Sequence, residues 1–443
     1  MTAALAIAAA FGACSTTPSA APATGTSASP TPQLTAPPPA TIAPTPQGSL
    51  DRVGGWQADL ALIVPGIERI HPDPWRGTPR PMVEAAVAEL SAQAASLTDD
   101  ELVVGVSRIA AMVSTRACDG HTGLFMWGTG TYPLDSLPLR LWLFGDDLVI
   151  VDALPPNEDL IGATIESIEG RPIADVRAAL DPLIPRDNEQ TVRLLTPRYL
   201  LIPQVLRGIG LTNDSSVRIR FSAPVPGREV DLRSIPMEDY NNWAGPYGLH
   251  LPVDPDVRWL SKIDDDLWWE VLPDGETLYV QYNRVERITT ETVASLREAA
   301  TDPELARVVL DIRHNFGGEV PVLDEIEPIF DDPAVDQPGK LFLFVGRNTW
   351  SAGSMLLARL EAHTDAVLVG EPMAGCPTFY GDVVELPLPH SGLALLVTEM
   401  LEVGVDPNDT RSNIELDAVA ELSQEDWENG IDPALGLVIP AAP

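Results

Sequence analysis

The chain has 443 residues, 45% of them hydrophobic, with 64 acidic against 28 basic side chains and a formal net charge of −36. That length exceeds one simple core, so two or three domains are expected. A surface this acidic repels phosphate backbones and argues against nucleic acid as a partner, and no apolar run is long enough to span a membrane.

Residues 1–14 form a small, apolar stretch ending at Phe11-Gly12-Ala13-Cys14. It resembles a bacterial export segment closing in a lipobox, with Cys14 as the residue that would carry the lipid. No Lys or Arg precedes the run, and Phe11 stands where leucine is usual. Residues 15–48 are Ser, Thr, Ala, Pro and Gly with almost nothing to bury, the composition of an extended tether. The expected location is the outer face of a bacterial cell membrane, or the exterior.

Residues 49–130 read as a helical layer. Asp59, Leu60, Leu62, Ile63, Ile67 and Ile70 mark one amphipathic helix, residues 81–95 a second and 99–114 a third. Asp99 is the expected N-cap of the third, with Leu102, Val103, Val106 and Ile109 as its buried stripe. Residues 131–235 alternate as strands at 137–143, 148–153, 218–221 and 229–232, and the segment 160–173 loosely resembles the carboxylate-binding loop and strands of a PDZ domain. This region is expected to be a β-rich, PDZ-like domain. Residues 236–258, with many Pro, Gly, Asn and Asp, read as a connecting loop.

From 259 to 443 the pattern becomes α/β. Strands are expected at 278–282, 307–311, 341–345 and 366–370, with helices at 290–300, 320–330 and 351–363. Short, fully apolar runs of this kind suit strands buried on both faces of a parallel sheet, and active groups gather at the carboxyl ends of such strands. Three turns lie there: 313–318, 348–352 and 370–376. Ser351 opens a helix whose first N–H groups lack partners, and Gly317-Gly318 lets backbone approach a ligand closely. Taken alone, Ser351 reads as a helix cap, and His121, in Asp119-Gly120-His121-Thr122-Gly123, as a loop histidine bonding locally.

The ordered set Asp311-x-Arg313-x-Asn315-x-Gly317-Gly318, Thr349-x-Ser351-Ala352-Gly353 and Gly370-Glu371-Pro372-Met373-Ala374-Gly375 resembles the tail-specific (carboxy-terminal-processing) and tricorn-type serine peptidases. The stretch from Ile414 to Pro433 is similar to that family's ending. The resemblance implies a crotonase/ClpP-like core sheet joined to the helical layer and the PDZ-like domain. It also implies Ser351 as nucleophile and the N–H groups of Gly318 and Ala352 as oxyanion hole. The tail-specific branch uses a lysine about twenty-five residues after the serine. Here that position is Cys376, and no lysine follows Lys340, so the tricorn-like, histidine-dependent branch is the nearer one.

On that resemblance His121 becomes the general base, since neutral imidazole suits a serine at pH 7. Asp409 is the candidate acid that orients it, with Asp406 and Glu402 as rivals. His71 reads as structural, and His314, His363 and His390 have weak claims. Arg313 and Asn315 are expected to shape their turn rather than react. If the triad assembles, Cys118 and Cys376 approach one site and could form a disulfide holding the histidine loop to the core. The expected activity is cleavage of a peptide or protein substrate through an acyl-enzyme, with no metal or organic cofactor. The alternatives are an inactive binding lipoprotein on the same fold and an esterase with the same nucleophile.

Overall fold

The computed structural model describes residues 50–214, 216–245 and 248–439. The expected export segment and tether, residues 1–48, lie outside the described residues. Among the described residues no helix is long and apolar enough to cross a membrane.

The three N-terminal helices form at Arg52–Ile70, Arg80–Gln93 and Asp99–Ser114. In the third, Leu102, Val103, Val106 and Ile109 are all buried. Its cap is Thr98, not Asp99. The Thr98 hydroxyl accepts from the Glu101 N–H at 3.2 Å, and the Glu101 carboxylate accepts from the Thr98 N–H at 2.7 Å. This reciprocal pair satisfies two orphan donors at once. It leaves the Asp99 carboxylate free to accept from Arg52 and the Trp56 indole.

The middle region holds an antiparallel sheet of Leu139–Phe144, Asp147–Ala153, Thr164–Ile168, Ser216–Ala223 and Glu229–Arg233, in that spatial order. All four expected strands are in it. The region nevertheless holds three helices, Ile173–Leu180, Glu189–Leu200 and Pro203–Gly208, between the third and fourth of these strands. The connection at 236–258 also contains a helix, Met237–Ala244, whose Tyr240 is fully buried. Composition marked this stretch as loop because Asn241, Asn242 and Gly245 are poor helix formers, but burying Met237 and Tyr240 outweighs that local preference.

The C-terminal region carries a six-stranded sheet. Its order is Ala418–Val419, Val367–Gly370, Leu341–Val345, Arg307–Asp311, Thr277–Tyr282 and Leu267–Val271. Neighbours are parallel except for the last pair. Helices Thr290–Ala300, Leu323–Phe330 and Ala352–His363 connect the parallel strands. Alternate residues of one strand serve different cores. Val308, Leu310, Leu343 and Val345 face the layer of connecting helices, while Val309, Phe344 and Val369 meet Trp268, Ala434 and Val438. Two buried faces are the reason these strands read as unbroken apolar runs.

One element of this region leaves its own core. Strands Thr378–Leu388 and Leu393–Val403 form an antiparallel hairpin, and Leu386, Leu388, Leu393, Leu395 and Val397 pack into the core of the N-terminal helices. The fit is tight: a Cβ on Gly66 of the first helix would stand 2.5 Å from the Leu386 side chain. Buried Asp59 accepts from the hairpin-turn N–H groups of His390 and Ser391 at 3.0 and 2.6 Å. The expected boundary at 258/259 is therefore crossed by a segment of the C-terminal half that completes the N-terminal core.

Candidate active site

Ser351 follows strand Leu341–Val345 and precedes helix Ala352–His363. Its backbone has φ +54° and ψ −128°, a region that a residue with a Cβ rarely occupies. The side chain makes no cap bond to the helix it opens, so the cap reading fails. The chain is forced into a sharp strand-to-helix turn that projects a hydroxyl, the device by which hydrolases expose a nucleophilic serine. Thr349 secures the turn, donating from its hydroxyl to the Ile312 carbonyl at 2.8 Å and accepting from the Gly346 N–H.

The 313–318 turn lies directly against this serine. A Cβ on Gly317, where φ is +99°, would stand 2.6 Å from the Ser351 Cβ and 2.7 Å from the Ala352 nitrogen. Only glycine permits both that dihedral and that approach. Asn315 holds the turn with three bonds: its amide donates to the Tyr282 carbonyl, its Oδ1 accepts from Gly317 N–H, and its carbonyl accepts from Trp350 N–H. Arg313 lies half-buried between Asp311 and Asp432 and pairs with both at 2.6–2.9 Å. Among the described residues neither the Gly318 nor the Ala352 N–H donates a hydrogen bond. Two open donors therefore flank the serine.

His121 arrives from the N-terminal half. Its ring is stacked between Trp350, at 4.5 Å between centroids, and Phe379, at 5.4 Å. Nδ1 is shielded from solvent and has no hydrogen-bond partner. Burial is the main reason the ring's pKa falls to about 4, against a smaller opposing pull from the Tyr380 main chain. The imidazole is thus neutral near pH 7, the form that can accept a proton.

Three fastenings hold the histidine loop. Cys118 and Cys376 form a disulfide with Cα atoms 5.9 Å apart, joining the loop to the turn after strand Val367–Gly370. The hairpin pairs with the loop through Gly123 and Leu396, 3.0 and 2.9 Å, and through Tyr380 N–H to the Cys118 carbonyl at 2.8 Å. Beneath it, Asp119 is fully buried and accepts from Thr122 N–H and the Thr398 hydroxyl. His71 Nδ1 accepts from the Asp73 N–H, so in the neutral ring Nε2 holds the proton and donates to Asp119 at 3.1 Å. His71 is a structural residue, as read from sequence.

The middle region supplies a clamp that sequence reading missed. Asn188 caps helix Glu189–Leu200, and its amide donates to the carbonyls of Met373, Gly375 and Ser412. Asp187 beside it accepts from Gly120 N–H and from the Trp350 indole, each at 2.6 Å. Burial raises this carboxyl to about 7. The signal was weak: Arg186-Asp187-Asn188 reads as an ordinary polar loop, and only the third dimension brings it to the site.

Asp409 accepts from Arg411 on both its oxygens, and Arg411 also pairs with Glu361. Glu361 lies ten residues along the helix from Ser351, about 15 Å at the usual helical rise. Asp406 is turned onto Asn408. Glu402 is directly across the hairpin from Phe379, and burial raises its pKa. His363 bonds Glu327. His314 is buried with both ring nitrogens unpartnered, stacked on Trp259.

No family model matches the sequence, and no curated protein matches it. The fold does have relatives among solved structures. Mature CPAF complexed with lactacystin superposes with a TM-score of 0.60 at 12% identity, covering 87% of this chain and 97% of that one. Mature CPAF on its own gives 0.56 at 12%, covering 87% and 96%. The photosystem II D1 C-terminal processing protease gives 0.39 at 16%, covering 88% and 98%. Structural similarity to CPAF therefore runs over most of the chain. At such identities, what this chain shares with CPAF is the fold.

Proposed function

We propose that the chain is an exported serine peptidase. Ser351 Oγ attacks the carbonyl carbon of a peptide bond. His121 takes the hydroxyl proton and returns it to the leaving amine, and water then cleaves the acyl-enzyme. The N–H groups of Gly318 and Ala352 hold the oxyanion, the larger part of the stabilisation in reactions of this kind. A lipid on Cys14 would tether the enzyme to the outer face of the membrane.

The observation that carries the reading is the backbone of Ser351. A positive φ at a serine whose hydroxyl caps nothing, beside two open N–H donors and a neutral imidazole, has no structural use. Among the described residues the Ser351 hydroxyl makes no hydrogen bond. Catalytic bonds are often loose before substrate arrives. The same observation, with no carboxylate on His121 Nδ1, also favours a second reading, a binding protein that has lost catalysis.

A fluorophosphonate probe separates the two. Labelling of the wild type that disappears in Ser351→Ala and in His121→Ala supports the enzyme; an unlabelled wild type supports the binding protein. Lactacystin, found in complex with CPAF, is a natural competitor to try. Labelling without cleavage of any peptide library member points to an esterase.

A further inference from the structure

We infer that Asp187 is a positioning residue of this site, fixing the His121 ring relative to Ser351 by holding the histidine loop and the nucleophile turn on opposite oxygens of one carboxylate. The inference rests on the serine-peptidase reading above. Oδ1 accepts from the N–H of Gly120, the residue before His121. Oδ2 accepts from Nε1 of Trp350, the residue before Ser351 and the surface on which the His121 ring lies. Asp187 bonds neither reacting side chain, so it acts through these two neighbours.

The joint is closely fitted on every side. A Cβ on Gly120 would stand 2.9 Å from the Asp187 nitrogen and 3.0 Å from its carboxyl carbon, so glycine is required there. The Asp187 N–H donates to Thr191 Oγ1, whose own proton goes to the Ala374 carbonyl at 2.6 Å. The Cys376 sulfur lies 3.6 Å from the Asp187 carbonyl oxygen. One residue of the middle region thus meets the loop of the base, the turn of the nucleophile and the turn of the disulfide.

Chemistry argues for a carboxylate rather than any polar group. Two N–H donors converge on two different oxygens, and an amide can accept on only one. Burying a carboxylate against two neutral donors is costly. The titratable group that faces it is Asp119, itself paired with His71; the guanidinium of neighbouring Arg186 is turned away to Asp181.

The test is the rate of fluorophosphonate labelling by the full chain, resolved into probe affinity and maximal rate. Asp187→Asn keeps the shape and removes one acceptor. The expected result is a maximal rate lower by about tenfold or more, the scale of a sub-ångström to ångström misplacement, with affinity little changed. The pH profile should lose an ionisation near neutrality. The Trp350 indole N–H resonance, assigned by its disappearance in Trp350→Phe, should move upfield in Asp187→Asn. Unchanged rate and pH profile, or an indole signal that stays put, overturns the inference. If Asp187→Asn does not fold, Trp350→Phe decides, since it keeps an aromatic shelf and deletes only the donor: an unaltered rate there rejects the clamp. A wild type that never labels sinks the peptidase reading, while the indole shift still reports whether the clamp exists.

Discussion

The His121 ring lies on the Trp350 indole at 4.5 Å, with 28° between their planes, and Trp350 immediately precedes Ser351 in the chain. The proposed base is therefore positioned by the nucleophile's own turn. Stacking and enclosure by Phe379 keep it neutral, and movement of the turn moves both partners together.

Gly317→Ala should abolish labelling of Ser351 while leaving most of the fold intact. The new methyl would meet the Ser351 Cβ at 2.6 Å at a backbone φ of +99°, so the turn must shift by an ångström or so. A loss of about 100-fold is expected from such a displacement. Labelling kinetics beside a circular dichroism spectrum check it; a normal rate would mean the turn yields harmlessly.

Reducing the disulfide should cost activity and stability together. The bridge spans 258 residues and restricts the unfolded chain, a contribution of about 2–5 kcal/mol in such cases. It also fastens the His121 loop three residues from the ring. Cys118→Ser with Cys376→Ser is expected to melt several degrees lower and to label more slowly than the oxidised wild type. Unreduced mass spectrometry confirms the starting state.

His71 and His121 should separate cleanly on mutation. His71→Ala leaves buried Asp119 without its imidazole donor, and removing one partner of a buried hydrogen bond costs about 1–3 kcal/mol. Its melting temperature should fall sharply, with labelling retained by whatever remains folded. His121→Ala should show the reverse, labelling lost with a smaller fall in melting temperature.

Two groups give opposite pH slopes. His121 is depressed to about 4 in the fold, below an unfolded value of about 6.5. The unfolded chain binds the extra proton between them, so this group's stabilisation is complete above about pH 6.5 and lost as pH falls to about 4. Asp187 is raised to about 7, above an unfolded value of about 3.9. Its stabilisation is complete below about pH 4 and lost as pH rises through 7. Thermal melts should show Asp187→Asn flattening the decline near neutrality, and His121→Gln flattening the rise from pH 4 to 6.5.

The parallel sheet was legible because its strands are buried on both faces and its glycine turns sit at their ends. Ser351, Gly317 and Gly318 come together as read, and the Cys118–Cys376 pair forms. Three things were hidden. The hairpin Thr378–Val403 carries glycine, proline and charged residues through its first strand, which masks alternation, and its partner core lies more than 250 residues upstream. The helices at 173–208 were hidden by the reading of residues 131–235 as β-rich, although Asn188 and Thr191 form a capping box there. The orienting acid was sought by spacing alone, and spacing cannot reveal that Asp409 is taken by Arg411 two residues on.

The hairpin that pairs Gly123 with Leu396 also sets a timetable. A ribosome must add about 270 residues after Gly123 before the strand that braces the histidine loop exists. Contacts so distant in sequence form late and slowly. A nascent chain that has not reached Leu396 consequently leaves the histidine loop unbraced.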